Sequence, residues 1–196
     1  MNKQYVAVAF SALCAFAVFS ARAEERAAKE NANKEKAPIS VAPTGFAKLA
    51  DIDGNDAGKA SFLQTPQGVI MRVDLRLPDG EHGLHIHENG ECALPDFKSA
   101  GGHFNPDGHK HGFLSPEGAH AGDLPNVTVE NKRYVGEVFL HGFTLEGERG
   151  IANRAIVVHS GADDYSTDPA GDAGDRIACG VIQETAQQTS DSKEPK

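Results

Sequence analysis

The chain has 196 residues, 39% of them hydrophobic and 24% charged, which is enough for one domain with a real core. Its formal net charge is −9 at pH 7. That balance argues against nucleic acid or an anionic membrane surface as partner.

The first segment stands apart from the rest. Asn2 and Lys3 precede an apolar run from Tyr5 to Phe19, and Ala21-Arg22-Ala23 supplies a small-x-small cleavage site. The pattern predicts a secretory signal peptide over 1–23, since the run is too short to span a bilayer and an acidic segment follows. A lipid anchor on Cys14 is disfavoured by the bulk of Leu13 before it, and no other segment could span a membrane. Cleavage after Ala23 removes Lys3, Arg22 and no acid, leaving 17 basic and 28 acidic residues and a formal charge of −11. Of the three cysteines only Cys92 and Cys179 then remain. In an oxidising compartment two such cysteines are expected to join, free buried thiols being the alternative. Closing so long a loop would stabilise the fold by about 4 kcal/mol on a chain-entropy model.

Residues 24–38 are rich in Glu, Lys, Ala and Asn and read as a charged, solvated tether. The body of the chain, 39–183, reads as all-β. Strand-like stretches run over 45–50 and 60–64, and over 69–77, where Met71, Val73, Leu75 and Leu77 fall on one face. More follow at 127–129, 134–140, 155–159 and 177–182, with Gly and Pro in the gaps and no ten-residue helical period. Short strands with turn signals predict a sandwich or barrel. Two segments break the spacing, Asn89 to Gly122 and Ser160 to Asp175. Long loops without regular structure are usually functional. Residues 184–196 read as a polar tail.

The densest chemistry begins at Gly83-Leu84-His85-Ile86-His87-Glu88-Asn89-Gly90. On a strand, residues two apart share a face, so His85 and His87 project together and could grip one metal ion. Alone, such a pair also fits a solvated strand face. His103, His109, His111, His120 and Asp123 then crowd one Gly-rich segment, and His159 follows. That density calls for metal, and a bound ion would supply the order that a core cannot.

These stretches carry a resemblance. With Gly102-His103-Phe104-Asn105-Pro106, Gly122-Asp123-Leu124-Pro125-Asn126-Val127, Val157-Val158-His159 and the run from Gly171 to Ile182, they make five ordered matches. From about residue 40 to 183 the chain resembles the copper/zinc superoxide dismutases of the bacterial exported kind. The resemblance implies a Greek-key β-sandwich or flattened barrel with two long functional loops, and a periplasmic location. It also implies copper and zinc as cofactors, superoxide as substrate, and a monomer or a homodimer.

Carried over by motif, the resemblance implies copper on His85, His87, His103 and His159. Zinc would sit on His103, His111, His120 and Asp123, with His103 shared between the metals. The residue types agree: four imidazole nitrogens suit Cu(II), and three imidazoles with a carboxylate suit a closed zinc site. Asp163 would accept hydrogen bonds from His85 and His111, fixing both rings. Arg176 would attract the anion beside copper, and Cys92–Cys179 would be the family's disulfide. His82 is expected to be a buried structural histidine, His109 and His141 ordinary loop and strand-end residues, and Asp164 a solvated one. Asn126-Val127-Thr128 fits a glycosylation sequon. The segment 163–175 is rich in aspartate, so anion steering falls to the local field of Arg176 and the metals, with Lys98 or Lys110 in support. The competing reading is an exported copper/zinc buffer or delivery protein without turnover; a purely structural extracellular domain would not keep so many converging histidines.

Overall fold

The computed structural model describes residues 42–185. The expected signal peptide, the tether and nearly all of the expected tail lie outside those residues. Among them the chain forms β1 (Gly45–Asp51), β2 (Asp56–Thr65), β3 (Gly68–Leu75), β4 (Gly80–His82), β5 (Leu84–His87), β6 (Val127–Val129), β7 (Tyr134–His141), β8 (Ala155–His159), β9 (Arg176–Val181) and β10 (Gln183–Glu184). One 3-10 turn, Lys98–Ala100, lies in the first long loop.

Every strand pair is antiparallel. The large sheet runs β5-β8-β9-β1-β2-β3-β7, and β4 pairs with β6. β4 and β5 are one strand line interrupted at Gly83, where a Cβ would sit 3.1 Å from Ala173 Cβ and 3.2 Å from His85 Cε1. Instead Gly83 reaches sideways, its N–H donating to Gly161 O at 2.8 Å and its carbonyl accepting from His159 N–H at 2.8 Å. β6 turns back into β7 through Asn131 and Lys132, whose φ of 53° and 60° fit the tight two-residue hairpin turn. That hairpin links the β4/β6 pair to the far edge of the sheet, and the β3–β4 and β7–β8 connections cross between non-neighbouring strands. The result is the expected Greek-key flattened barrel.

Alternation decides the interior. Val69, Met71, Val73 and Leu75 of β3 are buried against Phe62, Leu49 and Ile156, while Arg72 faces out beside Glu137. β8 is buried on both faces. Ile156 and Val158 join the main core, whereas Ala155 and Val157 pack under Phe97, Ala100 and Cys179. The first long loop is thus pinned over the outer face of β8. The Cys92–Cys179 disulfide, spanning 87 residues, fastens it there.

Three features went beyond the sequence pattern. β2 starts at Asp56, earlier than the period suggests, because Leu49 faces Gly58 and Ala50 faces Asp56, leaving Ala57 as the extra residue of a bulge. β4 is too short for any period. Gln183–Glu184 add a short strand beside Gly45–Phe46, so ordered pairing reaches past residue 183 into the first residue of the expected tail.

Candidate metal centre

Three sequence-distant segments converge on one buried group of histidines. β5 supplies His85 and His87 and the end of β8 supplies His159. The first long loop supplies His103, His111, His120 and Asp123. His85, His87 and His111 are fully buried. Leu84 and Ile86 face the core, so β5 is buried on both sides once the loops cover its histidine face. Backbone pairing holds the loop against β5: Phe104 N–H donates to Ile86 O at 2.8 Å, and Ile86 N–H to Gly122 O at 2.9 Å.

The donors form two sets of four that share His103. His85, His87, His103 and His159 each offer one ligand atom, and those atoms lie within 4.8 Å of one another. The same holds for His103, His111, His120 and Asp123. A third group, His85, His111 and Asp163, ties the two together.

Hydrogen bonding fixes the tautomers. A carboxylate or carbonyl oxygen can only accept, so the ring nitrogen facing it carries the proton. His85 Nε2–H donates to Asp163 Oδ2 at 2.8 Å, and His111 Nε2–H to Asp163 Oδ1 at 3.0 Å. His87 Nδ1–H donates to Gly101 O at 3.0 Å, and His159 Nδ1–H to Gly174 O at 3.2 Å. In each neutral ring the other nitrogen then carries a lone pair. Those atoms, His85 Nδ1, His87 Nε2, His159 Nε2 and His111 Nδ1, are buried without a partner, as are His103 Nε2 and His120 Nδ1. Buried polar atoms are rarely left unpaired. Here six orphaned nitrogens face two points.

Electrostatics agrees. Asp123 Oδ1 lies 2.7 Å from His103 Nδ1, 3.1 Å from His111 Nδ1 and 3.3 Å from His120 Nδ1. His111 Nδ1 makes no hydrogen bond to that oxygen, and a cation held between them would satisfy both atoms. Burial pushes His85 down to about 4, His87 to about 2 and His159 to about 3, so all three rings are neutral, the form that ligates metal. Burial would raise Asp163, but the hydrogen bonds from His85, His111 and Tyr165 N–H outweigh it and hold the carboxyl well below the usual range. Asp123 is lowered in the same way, its burial offset chiefly by His103 and the Gly112 N–H. The donor sets fit one nitrogen-rich metal site and one mixed nitrogen and oxygen site.

Arg176 stands at the start of β9 beside the all-histidine set. Its guanidinium donates to Phe97 O at 2.7 Å and to Gly101 O at 2.6 Å, the latter being the carbonyl that also orients His87. It lines an open cavity of ≈ 540 Å³ together with Asp96, Lys98, Ser160, Gly174 and Asp175. Lys98 pairs with Asp96 at 2.7 Å.

A family model described as copper/zinc superoxide dismutase matches residues 56–182. The chain belongs to that family. The Cu-Zn superoxide dismutase 2 of Aquifex aeolicus is 48% identical over 145 residues, covering 70% of this chain and 85% of the relative. The Cu-Zn superoxide dismutase of Neisseria meningitidis serogroup A is 34% identical over 193 residues, covering 92% of this chain and 98% of the relative. A crystal structure of a double mutant of a SOD-like protein from Bacillus subtilis superposes with a TM-score of 0.68 at 36% identity, over 70% of this chain and 96% of that one. Membership in the copper/zinc superoxide dismutase family makes the protein an oxidoreductase that dismutates superoxide with copper and zinc as cofactors.

The remaining histidines lie apart from these sets. His82 is buried but hydrogen-bonds His159 O and Pro78 O, and exposed His109 reaches Ala119 O. His141 is exposed at the end of β7. Asp164 is exposed yet does more than meet solvent: Thr167 and Ser166 donate to it and depress it to about 2. Asn126 Nδ2–H donates to Asp163 O, and Asn126 Oδ1 accepts from Asp163 N–H, so the sequon's amide is already engaged. Sequence reading missed Gly101 and Gly174, which act through carbonyls and leave no side-chain signal. It also missed Tyr165, whose backbone N–H reaches Asp163 and whose hydroxyl accepts from Asn126 N–H.

Proposed function

We propose that His85, His87, His103 and His159 hold the copper and that His103, His111, His120 and Asp123 hold the zinc. The observation that carries this assignment is the pair of buried four-donor sets sharing His103, with six ring nitrogens left unpartnered. Bound there, copper would supply a one-electron redox couple for superoxide, and zinc would supply a fixed positive charge.

The chain's own residues do the rest. Arg176 keeps its guanidinium against Gly101 O, beside His87, where a small anion meets a permanent positive charge. His103 serves both sets, Nδ1 facing Asp123 and Nε2 facing His85, His87 and His159. His103 Nε2 is accordingly the atom that takes up one proton and passes it to the reduced substrate, water supplying the second proton of hydrogen peroxide. Asp163 holds His85 and His111 in the tautomers that leave their ligating nitrogens bare.

Residues 1–23 are proposed to be removed on export, so that the enzyme works in the periplasm from Glu24 onward. Residues 24–38 would act as tether, 39–183 as catalytic domain and 184–196 as tail. The acidic surface suits neither nucleic acid nor membrane; sedimentation of the mature chain reads monomer against homodimer.

The test is dismutation by the mature protein loaded with both metals, beside a His85→Ala, His87→Ala variant. Copper-dependent turnover lost in the variant is expected. Stoichiometric binding of both metals without turnover would instead leave an exported metal-binding protein.

A further inference from the structure

His103 poses a positioning problem that four of its neighbours do not share. His85, His87, His111 and His159 are each aimed by a hydrogen bond from the ring nitrogen that does not face a metal set. In the proposed assignment His103 has no nitrogen to spare, since Nδ1 faces Asp123 of one set and the unpartnered Nε2 serves the other. Its ring must be aimed through the backbone that carries it.

That backbone is fastened on both flanks. On one side Gly102 N–H donates to Glu88 Oε1 at 2.9 Å, while Gly102 O accepts from Glu88 N–H at 2.9 Å. On the other side Phe104 is buried, its N–H on Ile86 O. A single side chain touches both flanks. Arg154 Nη1–H donates to Glu88 O at 3.0 Å, and its guanidinium carbon lies 3.5 Å from the centroid of the Phe104 ring. Arg154 Nε donates to Gly150 O at 2.7 Å, which anchors the clamp in the β7–β8 connection. No carboxylate among the described residues forms an ion pair with Arg154, so carbonyls and a π face are its partners.

We propose that Arg154 is the positioning residue for the bridging histidine: it holds Glu88 and Phe104, and through them fixes the ring of His103 between the two metal sets. The inference rests on the proposed bridging role of His103. A planar fork that hydrogen-bonds at two nitrogens while stacking on an aromatic is a task for arginine that lysine cannot duplicate.

The experiment compares holoenzymes loaded with copper and zinc: wild type, Arg154→Ala, Arg154→Lys, Phe104→Leu and the control Arg149→Ala. Arg149 braces the same connection through Asp107 at 2.9 Å and the Phe143 ring at 5.7 Å, without touching Glu88 or Phe104. The readouts are the Cu(II) electron-paramagnetic-resonance spectrum, zinc retention against a chelator, and Tm. Arg154→Ala is expected to alter the copper spectrum and weaken zinc retention by about 10–100-fold, the range for residues that orient metal ligands. Phe104→Leu should reproduce the spectral change, Arg154→Lys should restore it in part, and Arg149→Ala should lower Tm with a native spectrum. A native spectrum and native zinc retention in Arg154→Ala and Phe104→Leu would overturn the proposal, whatever their Tm. Should Arg154→Ala fail to fold, Arg154→Lys and Phe104→Leu decide the matter by the same readouts. A wild-type spectrum insensitive to zinc would reject the bridge itself, a different failure from an unaltered variant.

Discussion

Replacing Asp163 by asparagine keeps the shape of the side chain and removes one acceptor. In the native protein Oδ2 accepts from His85 Nε2–H at 2.8 Å, while Oδ1 accepts from His111 Nε2–H at 3.0 Å and from Tyr165 N–H at 2.6 Å. An amide accepts on one side only. Whichever way it turns, one imidazole meets an N–H where it needs an acceptor. That ring must rotate, or move its proton to the nitrogen facing the metal set, and either change spoils a ligand. A hydrogen bond to a charged acceptor contributes about 1.5–3 kcal/mol, a factor of roughly 10–100 in an equilibrium constant. Mutations of such orienting groups cost metal affinity in the same range. Asp163→Asn is therefore expected to weaken at least one of the two metals by about 10–100-fold and to lower activity in step. Chelator competition with copper and zinc separately measures it, with Asp164→Asn as the neighbouring control. Native affinity for both metals, within threefold, would refute the tautomer argument.

The cavity mouth carries Arg176 and Lys98 against Asp96 and Asp175, two charges of each sign. Asp175→Asn or Asp96→Asn should raise kcat/KM for superoxide about twofold at low ionic strength, with the gain vanishing in high salt; a gain that survives high salt would not be electrostatic. Acid should destabilise the metal-free protein. Its neutral buried His85, His87 and His159 titrate at about 4, 2 and 3, below the unfolded value near 6.5. The unfolded chain therefore binds more protons, and stability that is full above pH 6.5 falls as pH drops toward 4 and below. Urea midpoints from pH 7.5 to 4 should fall steadily, and a flat profile would contradict the burial argument. Replacing Cys92 and Cys179 by serine should cost about 2–5 kcal/mol in unfolding free energy. It should also loosen the segment whose Gly101 carbonyl orients His87 and Arg176, so activity should fall beyond what unfolding explains.

Side chains that act by their chemistry were legible in the sequence; atoms that act by position were not. The period-two pattern of Met71, Val73 and Leu75 read correctly as a core face because burial on one side leaves an alternating trace. His85 and His87 were legible as a pair because strand geometry alone puts them on one face. The shared use of His103 came from resemblance, since spacing cannot say which ring lies between two others. Gly101 and Gly174 orient His87 and His159 through carbonyl oxygens, which every residue has. β4 escaped notice because three residues are too few for a period. Arg154 carries no local signal of a role beside Asn153 and a hydrophobic strand, and only the fold brings it over Phe104.

The two donor sets differ in what holds them. His85, His87 and His159 stand on paired strands, and in the β5–β8 ladder His85 faces Val157, two residues before His159. Sheet pairing and three ring hydrogen bonds fix them without help from an ion. His103, His111, His120 and Asp123 stand on an irregular segment whose order comes from the disulfide, from backbone bonds to β5, and from Asp163 reaching across to His111. Asp163 therefore does more than orient two rings. It joins a strand-built set to a loop-built one, so that the rigid half of the site lends its geometry to the half that cannot generate its own.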